Sequence, residues 1–230
     1  MSETPQSDGP GGTTGLPQSD PASGDINPSD ETLRSYEQAA DLYREAESAP
    51  HPPHLRFLDR FALAVPRATV LEVGSATGRD ARLLEARGLR IVRTDATESF
   101  VEMLRAGGER AQRVDVRYDE LGGPWDAVFA NAVLLHLTRP EFHAVLTRIR
   151  RAVAPGGVLA FSVKEGDGEA WSHAKLSLPR HFTYWRETPL RHLLHATGWA
   201  DVEVEHVAAR EPWLYLLCRR PPTDHLAVDT

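Results

Sequence analysis

The stretch Glu72-Val73-Gly74-Ser75-Ala76-Thr77-Gly78 follows the apolar pair Val70-Leu71 and leads into a run rich in Ala, Leu and Arg. An acid, two glycines and small residues between them form a tight turn in which backbone N–H groups and a helix start face a bound nucleotide. Asp95 closes the next apolar run, 23 residues after Glu72, and Ala96 follows it without bulk. A carboxylate at that point can accept both hydroxyls of a ribose. Asp115 with Val116, and then Asn131, close the third and fourth runs. Any one of these polar strand ends can simply cap the next helix. Together, at successive strand ends, they argue for one nucleoside-sized crevice. The turn lacks the G-x-G-x-x-G spacing of hydride-transfer dinucleotide sites and the G-K-[ST] of a phosphate loop, so neither chemistry is expected.

A second group of residues could act on whatever meets that nucleoside. His136, in Leu134-Leu135-His136-Leu137, is a candidate base at neutral pH; it could equally cap or pack against the helix that follows. Lys164 and Glu165 end the fifth apolar run and border the same crevice, as chemistry or as a salt-linked rim. Arg180-His181-Phe182-Thr183-Tyr184-Trp185 offers an aromatic wall with polar handles on His181 and Tyr184; its rings could also pack the segment onto the core. The remaining histidines lack metal-ligand spacing, and the single cysteine, Cys218, sits in an apolar run as a buried thiol, so no metal is expected.

The elements that must hold these residues follow from periodicity. Strands are predicted at 70–73, 89–94, 112–116, 125–130 and 158–163, alternating with helices at 79–87, 97–106 and 140–153. That rhythm argues for a mostly parallel sheet covered on both faces. Pro155-Gly156-Gly157 reads as a sharp turn, and residues 165–185 read as a long functional loop. Helix 187–197 precedes two alternating runs, 201–207 and 213–219, that can pair as an antiparallel hairpin. Upstream, one helix from Ser29 or Asp30 to about Ser48 carries Tyr36 and Tyr43 on its apolar stripe, and a second runs from His54 to about Ala64. The domain reading is an acidic disordered tail over 1–28, a helical cap over 29–66, a core over 67–220 with an acceptor-side insertion at 165–186, and a loose tail over 221–230.

The chain has 230 residues, 41% of them hydrophobic, and a net charge of −7. Six of the 33 acids fall in residues 1–31, where Lys and Arg are absent, which leaves 27 acids against 26 bases in the rest. A nearly neutral folded part disfavours nucleic acid as a partner. No run approaches the roughly 18 apolar residues of a membrane helix, and no signal peptide is apparent, so a soluble cytoplasmic protein is expected, without a membrane partner.

On these residues the chain resembles the class I S-adenosylmethionine-dependent methyltransferases of the small bacterial methyltransferase-domain type. The resemblance rests on Glu72-x-Gly74-x-Ala76-x-Gly78 followed by Asp95, Asp115 and Asn131, and spans roughly residues 36–219. Ala76 stands where the family has its middle glycine. The resemblance implies a Rossmann-like α/β fold: a seven-stranded sheet, mostly parallel, with an antiparallel C-terminal hairpin, helices on both faces and an N-terminal helical cap. It implies S-adenosylmethionine as cofactor and S-adenosylhomocysteine as product, with Glu72, Gly74, Ser75, Ala76 and Gly78 at the methionine end and Asn131 near it. It places Asp95 and Ala96 at the ribose, Asp115 and Val116 at the adenine, and Tyr36 on the cap. The expected activity is methyl transfer to an O or N atom of a small organic molecule, such as a secondary metabolite, by a monomer or homodimer. Lys164, Glu165, Arg180, His181, Tyr184 and Trp185 are the candidate acceptor contacts. Methylation of a peptide or tRNA, or a non-catalytic cofactor-binding subunit, are the alternatives.

Overall fold

A computed structural model describes residues 26–209 and 211–222. Most of the acidic tail expected over 1–28, and residues 223–230 of the expected C-terminal tail, lie outside the described residues. In chain order the elements are α1 (Pro28–Gln38), α2 (Ala40–Glu45), α3 (Pro52–Ala64), β1 (Thr69–Val73), α4 (Arg79–Glu85), β2 (Arg90–Asp95), α5 (Glu98–Ala106), β3 (Ala111–Arg113), β4 (Trp125–Ala130), α6 (Arg139–Ala152), β5 (Val153–Lys164), β6 (Glu169–Ser172), β7 (Arg180–Thr183), α7 (Glu187–Ala196), β8 (Ala200–Val207) and β9 (Trp213–Arg219).

Seven strands form one sheet in the order β3-β2-β1-β4-β5-β9-β8. The first five run parallel, and β9 enters antiparallel to β5 and β8. The order reverses at β1, so the carboxyl ends of β1, β2 and β4 open onto one crevice. Period-two alternation divides the central strands between two cores. On one face Leu71, Val128, Leu159, Phe161 and Leu216 pack with Phe142, Leu146 and Ile149 of α6 and Leu190 and Leu194 of α7. On the other, Val70, Ala127, Phe129, Ala160 and Leu217 pack with Phe57, Leu58 and Phe61 of α3 and Leu84 of α4. Truncating a fully buried anchor such as Phe61 should cost about 3–5 kcal/mol.

Four local expectations need correction. The helix predicted from Ser29 to Ser48 is two helices, broken at Ala39 (φ −121°, ψ 24°), because tertiary contacts outweigh local periodicity here. Ser35 and Thr32 of α1 are hydrogen-bonded to the 179–181 segment, while Tyr36 and Tyr43 meet edge to face across the break, with centroids 5.7 Å apart. Residues 165–185 are not a structureless loop: β6 and β7 form an antiparallel hairpin with Trp171 opposite His181. The exposed, polar β6 hid that pairing from the hydrophobic pattern. Pro155-Gly156-Gly157 lies within β5 as an irregularity in its pairing with β4, and that strand begins at Val153. Finally, β3 ends at Arg113, which puts Asp115 in the turn beyond the strand; the Val114 N–H bonds the Asp95 carbonyl at 2.9 Å and so continues the ladder without β geometry.

Candidate functional site

The turn after β1 is built by backbone conformation. Gly74 has φ 71°, and a Cβ there would collide with the Val133 methyls. Gly78, φ 78°, is the N-cap of α4, and a Cβ would meet Leu104 Cδ2 at 2.7 Å. Ala76 occupies the left-handed region at φ 46°, at a cost of about 1–2 kcal/mol for a residue with a Cβ. Its N–H donates to Asp95 Oδ2 at 2.8 Å, which fastens the turn to the end of β2. Glu72 is buried and accepts from Ser75 Oγ at 2.5 Å; burial raises its pKa to about 8, so it is largely protonated at neutral pH.

Asp95 is also buried, and desolvation raises its pKa. Each oxygen accepts one backbone N–H, from Ala76 at 2.8 Å and Thr97 at 2.9 Å. A carboxylate has about four lone-pair positions, so acceptor capacity remains. Asp115 is differently placed: its carboxylate accepts from the Arg117 N–H, Nε and Nη2, the last at 2.7 Å. Arg117, whose side chain is 4% exposed, also reaches Asp30 of α1 at 2.7 Å and Glu141 of α6 at 3.2 Å. Burial opposes the Glu141 charge, but bonds from Ser29 and Thr138 hold its pKa at about 2. Three carboxylates on one guanidinium thus bind α1 across the crevice.

Asn131, just beyond β4, spends its side chain within the protein. Its Nδ2 donates to Asp80 Oδ2 at 2.8 Å, and its Oδ1 accepts from Ser162 Oγ at 2.6 Å. Asp80 meets His54 Nε2 at 3.0 Å and Arg79 Nε at 2.9 Å. These partners overcome burial and bring its pKa to about 2. The chain His54–Asp80–Asn131–Ser162 therefore ties α3, α4, β4 and β5 together beneath the turn.

His136 sits in a single 3₁₀ turn, Leu134–His136, at the other end of the crevice. Its Nδ1 lies 2.7 Å from the His181 carbonyl, which can only accept, so Nδ1 carries the proton. Nε2 is then the acceptor for the Tyr36 hydroxyl at 2.9 Å. Desolvation of this partly buried ring, aided by the charges of Arg180 and Lys164, lowers the His136 pKa to about 3. Phe182 packs on the imidazole with centroids 4.8 Å apart.

Tyr36, Gly74, Ala76, Asp95, Ala96, Asp115, Val116, Asn131 and His136 line one cavity of about 750 Å³, part of it open to solvent. Glu72 and Ser75 line an adjoining one with Asp80 and Asn131. Gly78 lines neither and serves the start of α4. The acceptor candidates are not gathered in the cavity but around the hairpin behind Tyr36 and His136. Lys164 pairs with Glu211 at 2.6 Å and lies 3.8 Å from the Phe182 ring centroid. Glu165 faces His206 at 3.0 Å and Arg186 at 3.8 Å. His181 reaches Glu169 at 3.2 Å. Trp185 is buried between Phe142 and the Arg139 guanidinium, and Tyr184 is partly exposed. Arg180 lies 3.3 Å from the Tyr36 hydroxyl. The cavity lining also holds residues that the sequence does not mark as site candidates. Thr97, Phe100 and Tyr43 read as capping or apolar helix residues, and Arg117 follows Asp115 as an unremarkable charge; only its partners from distant helices mark it.

A family model described as a methyltransferase domain matches residues 40–204. Prosolanapyrone synthase from Alternaria solani is 29% identical over an alignment of 184 positions that covers 67% of this chain. Trans-aconitate 2-methyltransferase from Methylobacterium nodulans is 33% identical over 117 residues, 49% of this chain. The chain spans only 7% and 44% of those relatives' own lengths. Among solved structures, Burkholderia thailandensis 1,6-didemethyltoxoflavin-N1-methyltransferase, determined with 1,6-didemethyltoxoflavin and S-adenosylhomocysteine, superimposes with a TM-score of 0.67 at 20% identity, covering 87% of this chain and 94% of that one.

Proposed function

The chain belongs to the methyltransferase-domain family, of the class I S-adenosylmethionine-dependent kind, and on that premise we propose that it transfers a methyl group to an O or N atom of a small organic molecule. The observation that carries this reading is the cavity itself: the ends of β1, β2 and β4 and the helix α1 converge on one space that runs from Asp95 to His136. Relatives named for trans-aconitate and a toxoflavin precursor support a small acceptor.

The donor set fits the cofactor. Asp95 keeps acceptor capacity beyond its two backbone bonds, which suits a ribose diol. Gly74, whose missing Cβ makes room for the Val133 methyls, lines the cavity. Ala96, Phe100 and Val116 offer apolar contact to a base edge, with Asp115 held in place by Arg117. The chemistry supplied by bound S-adenosylmethionine is an electrophilic methyl on a sulfonium sulfur, with S-adenosylhomocysteine remaining. What this chain adds is orientation and exclusion of water. The Arg117 cluster fixes α1 over the cavity, and Tyr36 closes its far end.

His136 then acts as a fixed hydrogen-bond acceptor. Its Nδ1–H is committed to the His181 carbonyl, so Nε2 faces the cavity and is satisfied by Tyr36 until an acceptor O–H or N–H takes that place. With a pKa of about 3, the imidazole is neutral at neutral pH, with its one proton on Nδ1, and orients a nucleophile through the unprotonated Nε2. The test is incubation with methyl-labelled S-adenosylmethionine and a panel of small hydroxyl, carboxyl and amino acceptors. Label in an extractable small product supports the reading; label in added tRNA or peptide alone would overturn the small-molecule assignment.

A further inference from the structure

Among the described residues three arginines are buried: Arg93, Arg117 and Arg180. Arg93 is met by Glu85 at 2.7 Å and Glu109 at 2.6 Å. Arg117 has Asp30, Asp115 and Glu141. Arg180 is 8% exposed, yet among the described residues no carboxylate lies within 4 Å of it, and its Nε has no hydrogen-bond partner. Its contacts are neutral: Nη2 to the Ala174 carbonyl at 2.5 Å, Nη1 to the Tyr36 hydroxyl at 3.3 Å, and the rings of Phe182 and Tyr36 at 5.2 and 5.8 Å. An uncompensated charge out of water is costly, and a charge retained there without an internal partner is suited to an external one.

The surroundings reinforce this. Lys175 directs its ammonium 3.5 Å from the Tyr43 ring centroid and has no carboxylate within 4 Å among the described residues. Lys175 is exposed, and its backbone is left-handed at φ 74°, as is Ser177 at 56°. Desolvation and then the neighbouring Arg180 charge bring the Lys175 pKa to about 8. Tyr36 and Tyr43, against which Arg180 and Lys175 rest, both line the cavity.

We propose that Arg180, assisted by Lys175, is the receptor for an oxyanion, carboxylate or phosphate, carried by the methyl acceptor. This rests on the methyltransferase reading and narrows its substrate class. A guanidinium with a free Nε matches a planar or tetrahedral oxyanion through charge-assisted bonds. The anion would take Arg180 from Tyr36, leaving the acceptor's nucleophile beside His136 Nε2.

The test is calorimetry on the full chain saturated with S-adenosylhomocysteine. One arm uses inorganic phosphate, the other succinate, and chloride at matched ionic strength is the reference. The proposal expects saturable binding in at least one arm, and the tighter arm identifies the oxyanion. Arg180→Gln should weaken that binding about 10- to 100-fold, as loss of a charged hydrogen-bond donor does, with Arg180→Lys partly restoring it. Lys175→Gln, on an exposed connection, should weaken it several-fold. S-adenosylhomocysteine affinity, measured first on each variant, reports folding. If Arg180→Gln fails that control, Lys175→Gln decides: weakened binding supports the proposal and unchanged binding overturns it. No binding in either arm, or an unaffected folded Arg180→Gln, also overturns it. Failure of wild-type chain to bind S-adenosylhomocysteine at all would instead overturn the methyltransferase reading.

Discussion

Arg117 lines the cavity and Arg180 lies outside its lining, behind Tyr36; the two are equally buried and are treated in opposite ways. Arg117 is surrounded by three carboxylates from three parts of the chain, so its charge is fully answered within the protein before any ligand arrives. Arg180 has only a carbonyl, a phenol and two aromatic faces, so the acceptor end keeps an unanswered charge. The difference separates a site that is complete within the protein from one that awaits part of its partner set from outside.

Substitutions can break that contrast, and the largest effects belong to the completed end. Arg117→Met leaves Asp30, Asp115 and Glu141 together without their cation, and removing one member of a buried ion cluster costs about 3–5 kcal/mol. Denaturant titration should show that loss, with α1 the first segment to exchange its amide hydrogens; a change near zero would mean the cluster does not hold the helix. Asp95→Ala should lower S-adenosylhomocysteine affinity by about 100-fold, since it removes a desolvated charged acceptor and loosens the turn at Ala76. Calorimetry checks this, and an unchanged Kd would take Asp95 out of the ribose role.

Legibility from sequence follows the same division. Glu72, Gly74, Asp95 and Asn131 could be placed because each ends an apolar run whose period is strict, and a parallel sheet fixes where strand ends go. The β6–β7 hairpin was not legible because β6 is exposed and polar and shows no apolar alternation, and the break at Ala39 was not because it depends on contacts more than a hundred positions apart, such as Ser35 with Pro179 and Thr32 with His181. Arg180 was visible as a candidate contact, but what distinguishes it is the absence of a carboxylate around it, and sequence cannot show what a side chain lacks.

His136→Ala should slow turnover about 10- to 100-fold while changing S-adenosylhomocysteine affinity little, because the imidazole closes the acceptor end alone. In the parent protein the pH–rate profile should show no inflection near 6.5 from this histidine, whose pKa is about 3; such an inflection, lost in His136→Ala, would restore it as a base. Glu72 makes a subtler test. Its pKa rises from 4.5 unfolded to about 8 folded, so the native state holds the extra proton between those values. Its contribution to stability is full below about pH 4.5 and is lost as pH rises through 8. Glu72→Gln should therefore flatten the fall in Tm between pH 5 and pH 8, and parallel curves for the two proteins would contradict the assignment. Smallest is Ala76→Gly, which relieves a left-handed alanine at φ 46° and should stabilise by about 1 kcal/mol or less without weakening cofactor binding. A loss of stability would mean that the turn is not strained there.

The most direct measurement is a calorimetric titration of S-adenosylhomocysteine into the full chain at neutral pH. The cavity between Asp95 and His136 predicts one saturable site per chain, abolished or severely weakened by Asp95→Ala. No heat of binding at millimolar ligand, or binding that Asp95→Ala leaves intact, would contradict it.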